Sequence, residues 1–194
     1  MSTTTPLLPG QLYHIYSRGN NRENLFRETR NYDYFMRLYA RHIEPYVETH
    51  AFCLLRNHFH LLIRVRPAAE LARLGDAAAI SRRVSQVFSN FFNAYARAVN
   101  KAYARTGALF QRPFQRRPVT TEGHYRQLVV YIHRNPVKHG FASDFRQWPY
   151  SSYPALLGAG VTFLEREAVL SAFGGCRSLE TAHLGAVVVQ EEEA

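Results

Sequence analysis

Between Ile80 and Ala102, apolar side chains recur at the i, i+3, i+4, i+7 spacing of one helical face, through Val84, Val87, Phe88, Phe91, Tyr95, Ala98 and Val99. No strand pairing can absorb a run of about six helical turns, so this segment must be a helix, and the segments around it must supply whatever it packs against. Those neighbours read differently. Residues 12–17 are rich in Tyr and Ile and end in the turn formers Gly19, Asn20 and Asn21, which predicts a strand. Residues 30–43 carry Tyr34, Phe35, Leu38 and Tyr39 near helical spacing and stop before Pro45. Residues 47–55 and 58–65 are strand-like runs separated by Arg56 and Asn57, as in an antiparallel hairpin. Residues 114–120 predict a short strand, and Thr121 caps a further helix that Pro136 closes. The order β-α-β-β-α-β is that of a ferredoxin-like α+β fold, an antiparallel sheet with helices mainly on one face. Residues 162–165, Thr-Phe-Leu-Glu, predict a capping box for a last short helix ending at Gly174 and Gly175. The Gly-bearing stretch 157–160 separates a main domain, 1–157, from a C-terminal extension, 158–194.

The chain has 194 residues, enough for one domain of ordinary size, and 46% of them are hydrophobic, which excludes wholesale disorder. Its net charge is +9, carried by arginine apart from Lys101 and Lys138. A planar guanidinium pairs bidentately with phosphate, so an arginine excess on a folded domain points first to nucleic acid. The charge is uneven, +11 over residues 1–120 and −4 over residues 161–194, and the acidic tail ends in Glu191, Glu192 and Glu193. Such a tail could fold back over a basic face or keep the short apolar run before it soluble. Cys53 and Cys176 form no CxxC or finger spacing, which argues against a disulfide framework or structural zinc. No stretch approaches 18 apolar residues and no basic-then-apolar leader is visible, so no membrane partner is expected and a cytoplasmic location is.

Two constellations could carry chemistry. His58, Phe59 and His60 open a predicted strand, where residues i and i+2 share a face, so both imidazoles could ligate one ion while Phe59 turns into the opposite layer. The alternative is a pair of hydrogen-bonded structural histidines. Tyr131 and Asn135 lie one turn apart on a helix line separate from the apolar stripe of Tyr125, Leu128, Val129 and Ile132. A tyrosyl oxygen can attack a phosphodiester when a cation stabilises the developing charge, and an Asn carbonyl oxygen can coordinate that cation. Alternatively, Tyr131 packs at the sheet edge and Asn135 ends the helix.

Several blocks carry a resemblance. They are residues 13–22 (YHIYSRGNNR), 57–63 (NHFHLLI), 107–114 (GALFQRPF), 131–140 (YIHRNPVKHG) and 148–153 (WPYSSY). In this order they resemble the REP-associated tyrosine transposases, relatives of insertion-sequence transposases that act on single-stranded DNA with a His-hydrophobic-His (HUH) motif and one tyrosine. The resemblance implies that His58 and His60 are metal ligands, that Tyr131 is the nucleophile, and that Asn135 stands where relatives carry a third polar ligand, often Gln. It implies strand cleavage to a 5′-phosphotyrosine link and a free 3′-hydroxyl that can later rejoin the DNA. Phe110 departs from the Trp often seen in its block. The implied cofactor is a divalent cation, Mg²⁺ or Mn²⁺: imidazole suits Mn²⁺, whereas abundance favours Mg²⁺. The implied partner is single-stranded or hairpin DNA. Arg18, Arg22, Arg64, Arg112, Arg116 and Arg117 are candidates for phosphate contact, against the alternative of a solvated basic face. Tyr150 and Tyr153 could stack on bases or pack inside, and His14 is left without a role. A homodimer, in which Tyr131 would work with the histidines of either copy, and a non-catalytic single-strand-binding module on the same fold both stay open.

Overall fold

The computed structural model describes residues 5–111 and 113–185. Arg112 and the acidic tail at Glu191, Glu192 and Glu193 therefore lie outside the described residues. In chain order, the main elements are β1 (Leu12–Arg18), α1 (Thr29–His42), β2 (Val47–Leu54), β3 (His58–Val65), α2 (Ala77–Ala102), β4 (Gln115–Val119) and α3 (Glu122–Lys138). Three shorter helices follow, α4 (Tyr153–Leu157), α5 (Arg166–Phe173) and α6 (Cys176–Gly185). The sheet order is β2-β3-β1-β4, with every neighbouring pair antiparallel. The strand order and antiparallel pairing are those of the expected α+β fold, in which α1 carries the chain past β3 and α2 carries it past β1, but the helices divide between both faces of the sheet and do not lie mainly on one.

Period-two alternation gives the sheet two different faces. Tyr13 and Ile15 of β1, with Phe59, Leu61, Ile63 and Val65 of β3, are buried against α1 and α2 in an aromatic core that includes Phe35, Phe88 and Phe91. Each large apolar side chain fully buried there contributes roughly 1.5–3 kcal/mol. The two helices of the sandwich are capped as their sequences allow. Asn31 Oδ1 accepts from the Glu28 backbone N–H at 3.1 Å in a capping box at α1, and Asp76 Oδ1 accepts from the Ala79 N–H at 2.8 Å at α2. The other face carries Leu62 with Ala51 and Cys53, and α3 covers it with Tyr125, Leu128, Val129 and Ile132.

A bulge between Thr49 and Ala51 switches the parity of β2. Val47 and Thr49 face the first core before it, Leu54 faces the same core after it, and the bulged His50 bonds Tyr125 Oη of α3 at 2.9 Å. Gly19 closes β1 where nothing larger fits, since a Cβ there would lie 2.0 Å from the Glu23 carbonyl oxygen.

The C-terminal segment departs from expectation in three places. Thr121 caps α3 as expected, with Oγ1 accepting from the His124 N–H at 3.2 Å, but Pro136 does not close it. The helix runs on to Lys138, and the His139 N–H donates to Asn135 O at 3.0 Å. A proline this near the end removes one intrahelical bond only, and burial of Asn135 and Pro136 holds the last turn together. Residues 162–165 form no capping box. Leu164 bridges Thr49 and the Glu165 N–H donates to Thr49 O at 2.8 Å, so the segment extends the edge of β2 and α5 starts at Arg166. Gly174 ends α5 in the left-handed conformation as expected, at φ 79°, but α6 then follows. Val169, Phe173 and Leu179 of these helices are buried with α3 in the second core, so the extension shares the core of the main domain.

A directed chain of hydrogen bonds fastens α6 to α3. His183 Nδ1 lies 2.7 Å from Leu179 O and must donate to it, which leaves Nε2 to accept from His133 Nδ1 at 2.8 Å. His133 Nε2 then accepts from Ser152 Oγ at 2.7 Å, and Ser152 Oγ accepts from the Phe52 N–H of β2 at 2.8 Å. Both rings are fully buried, and Ser152 Oγ also lies 3.2 Å from Phe52 O. Burial holds His133 well below its ordinary value and His183 at about 4. An unfolded histidine takes up its proton near pH 6.5, so between there and about pH 4 the unfolded chain binds protons that the native chain refuses. Stability therefore falls as pH falls through that window. Thermal melts should give a lower midpoint at pH 5 than at pH 7, with a shallower dependence in His183→Gln; parallel profiles for the two proteins would remove this chain as the cause.

Candidate active site

The pairing register of β1 and β3 builds the site. Tyr16 lies opposite His60 and Arg18 opposite His58, while His14 lies opposite Leu62 on β3 and Arg117 on β4. Because alternate residues share a face, His14, Tyr16, Arg18, His58, His60 and Arg117 all lie on the α3 side of the sheet. His58 and His60 are buried there while Phe59 fills the opposite core, as the sequence predicted.

Each of the paired histidines is oriented through Nδ1. His58 Nδ1 donates to Asn57 Oδ1 at 2.7 Å, and His60 Nδ1 lies 2.9 Å from His14 Nε2. The second ring nitrogen of each, Nε2, is buried. Tyr131 of α3 is half-buried and sets its ring edge-on against His60, with centroids 5.4 Å apart, and against His14 at 6.3 Å. Tyrosine and histidine therefore meet within one chain. One turn on, Asn135 is fully buried; its Nδ2 donates to Tyr131 O at 2.9 Å, and its Oδ1 has no hydrogen-bond partner among the described residues. An unpaired buried amide oxygen costs about 1–3 kcal/mol.

Two cations and a further imidazole close the arrangement. Lys138 Nζ sits 4.8 Å from the centre of the Tyr131 ring, Arg117 lies over the Tyr16 ring at 5.7 Å, and His139 packs edge-on against His58 at 4.6 Å. A small cleft of about 60 Å³ opens beside the histidines, lined by Tyr16, Arg18, His58, His60, Gln111 and Gln115 among others. Among the described residues no group of three His, Cys, Asp or Glu side chains is placed to hold a metal. A third protein donor beside His58 and His60 must then be of another type, and the orphaned oxygen of Asn135 is of that type.

The arginine candidates separate. Arg18 lines the histidine cleft and Arg117 lies over Tyr16, whereas Arg22 is exposed on a left-handed backbone, φ 59°. Arg64 shares the histidine face but is engaged by Glu48. Arg116 alternates to the opposite face and donates to Ser85 Oγ of α2 at 2.8 Å. Tyr150, half-buried, stacks on Tyr32 at 3.5 Å, and Tyr153 is buried beside His183. His14, left without a role by the sequence, and Asn57, Lys138 and His139, not named from it as site residues, are brought here by the strand pairing, the turn before β3 and the end of α3.

No family model matches the chain. A Haemophilus influenzae protein that carries the REP-associated tyrosine transposase name is 30% identical over 125 residues, an alignment taking in 61% of this chain and 66% of that protein. This chain is thus similar to the REP-associated tyrosine transposases. A solved structure of a REP-associated tyrosine transposase bound to a REP hairpin matches the fold, with a TM-score of 0.62 and 19% identity over 84% of this chain and 88% of that one. Where the family often carries Trp, Phe110 fills the first core against Phe59, Phe92 and Tyr95, so the departure is one of packing. No helix among the described residues is long and apolar enough to cross a membrane.

The orphaned oxygen of Asn135 carries a desolvation cost that no bond among the described residues offsets. Asn135→Leu, which replaces it by an apolar group of similar length, should leave the thermal midpoint unchanged or raised; a loss above about 1 kcal/mol would show that the amide is structural.

Proposed function

We propose that this protein is a metal-dependent single-strand DNA transposase and nuclease that cleaves and rejoins DNA at hairpin repeats through Tyr131. The observation carrying this reading is the meeting of Tyr131 with His60 at 5.4 Å, together with the buried Asn135 one helical turn on, whose Oδ1 has no hydrogen-bond partner among the described residues. The similarity to the REP-associated tyrosine transposases and the hairpin-bound neighbour of the same fold support hairpin DNA as the partner.

His58 and His60, through Nε2, and Asn135, through Oδ1, would hold a divalent cation, Mg²⁺ or Mn²⁺. When bound it supplies Lewis-acid stabilisation of the charge that develops on the scissile phosphate. Tyr131 Oη forms the new bond to phosphorus, the bond from phosphorus to the 3′ oxygen breaks, and the phenolic proton is transferred to that oxygen. The products are a 5′-phosphotyrosine and a free 3′-hydroxyl. Attack by a 3′-hydroxyl on the phosphotyrosine reverses the step, so phosphodiester energy is conserved. The Lys138 ammonium beside the ring favours negative charge on the phenolic oxygen as its proton leaves. Arg18 and Arg117 are placed to hold phosphate, and His14 and Asn57 keep the imidazoles turned toward the site.

Tyr131→Phe should abolish the covalent protein–DNA species on a denaturing gel while leaving DNA affinity nearly intact; undiminished adduct would move the chemistry elsewhere, and absence of adduct in the unaltered protein would leave a binding module. His14→Ala should weaken Mn²⁺ binding, measured by calorimetry without DNA, by about 10- to 100-fold. Affinity for single-stranded DNA should fall with salt, with log K dropping about 0.7 per phosphate contact for each log unit; a flat response would contradict the role given to the basic face.

A further inference from the structure

Arg116 and Arg117 are neighbours in β4 and point to opposite faces, so only one of them serves the histidine site. Arg116 enters a second cleft, about 330 Å³, between α2 and the segment leading into β4. Its walls include the rings of Phe92, Phe110 and Phe114, with Phe92 5.2 Å from Phe110 and 5.1 Å from Phe114, and the amides of Asn93 and Gln111. That volume lies in the range of small-ligand sites.

The state of Arg116 is the telling feature. Its guanidinium lies 4.2 Å over Phe114, with Nη1 held by Ser85 Oγ, and no carboxylate among the described residues pairs with it. Its Nε is buried without a hydrogen-bond partner, and burial lowers its pKa. A desolvated cation with an unsatisfied N–H is costly unless an acceptor arrives. A shallower cleft adjoins the first, sharing Arg116 and Ser89, and is lined further by Ser81, Arg82 and Ser85. On its other side the aromatic cleft shares Gln111 and Pro113 with the histidine cleft. An aromatic slot thus shares walls with a hydroxyl- and arginine-lined groove on one side and with the candidate active site on the other.

We propose that the aromatic cleft takes one unstacked base of a single-stranded DNA segment, whose phosphates pass Arg116 along the serine face of α2 and reach the histidine site past Gln111. This rests on the reading above that the chain binds single-stranded DNA. Each part of a nucleotide finds its chemistry here. Phe114, half-buried on the cleft wall with the core rings of Phe92 and Phe110 behind it, offers stacking surface to any base, Asn93 and Gln111 can each donate to and accept from a base edge, and a phosphate oxygen supplies the acceptor that Arg116 Nε lacks.

The test compares two probes of about a dozen units with equal phosphate number, a base-bearing single strand and an abasic strand, by fluorescence anisotropy with the full chain. Equal phosphate number cancels the salt-dependent contribution. The unaltered protein should prefer the base-bearing probe by about tenfold or more. Phe114→Leu and, on the exposed side of the cleft, Asn93→Ala should each shrink that preference with little change toward the abasic strand, whereas Arg116→Gln should weaken both probes. Circular dichroism confirms that each variant is folded, and Asn93→Ala keeps the test informative if the others are not. A base preference that survives Phe114→Leu and Asn93→Ala, or none in the unaltered protein, overturns the proposal. A cleft-dependent preference without any covalent adduct would keep the base site and discard the nuclease reading; adduct without base preference would do the reverse, and binding of neither probe would discard both.

Discussion

The alternation of β1 and β3 is the constraint on which the rest of the molecule depends. Phe59 lies between His58 and His60, and Ile15 between His14 and Tyr16, so each strand must bury one set of side chains to present the other. A slip of one residue would send the histidines into an aromatic core and expose Phe59. The packing of Phe59 against Phe35, Phe92 and Phe110 penalises that slip. Core packing on one face thus sets the register of the chemistry on the other, and the pairing of Tyr16 with His60 follows from it.

A sheet with imidazoles on one face still needs that face covered, and the covering helix is the one that carries Tyr131. α3 is anchored at both sides of its length. Tyr125 bonds the bulged His50, and His133 sits in the chain of bonds that starts at the Phe52 N–H of β2 and ends at Leu179 O of α6. Ile132 meanwhile lies in the second core beside Leu62 of β3. Tyr131 is therefore held between two residues fixed to other elements, which limits how far its ring can move from His60 without α3 leaving the sheet. The C-terminal helices contribute to the site in this way although they supply no residue to it.

Most strands and helices up to Asn135 were legible because each obeys a single period, β2 with its parity-switching bulge excepted, and the face shared by His58 and His60 follows from period two alone. What local patterns could not show is where two segments meet. The bond between His14 and His60 depends on strand register, and the approach of His139 to His58 on how α3 ends. Pro136 misled because its cost is local while the burial that offsets it is tertiary. Residues 162–165 misled for a related reason: Thr-Phe-Leu-Glu suits a capping box, yet the open edge of β2 competes for the same backbone and takes it. The six arginines had equal standing in the sequence; strand alternation separated Arg116 from Arg117, and the Glu48 carboxylate engaged Arg64.

Buried polar groups also divide into two kinds here, a division no motif displays. His133, His183 and Ser152 form a chain in which the bonds fix every tautomer, the condition under which burying such groups becomes tolerable. Asn135 Oδ1 and Arg116 Nε are as well shielded from water and lack partners among the described residues. His50 Nε2 and Arg134 Nε are likewise buried without partners but line neither cleft, so position, together with the open bond, sets these two groups apart. They lie at the helix end beside Tyr131 and in the aromatic cleft next to the histidine cleft, where an incoming cation and an incoming phosphate would each complete a bond that the protein leaves unmade.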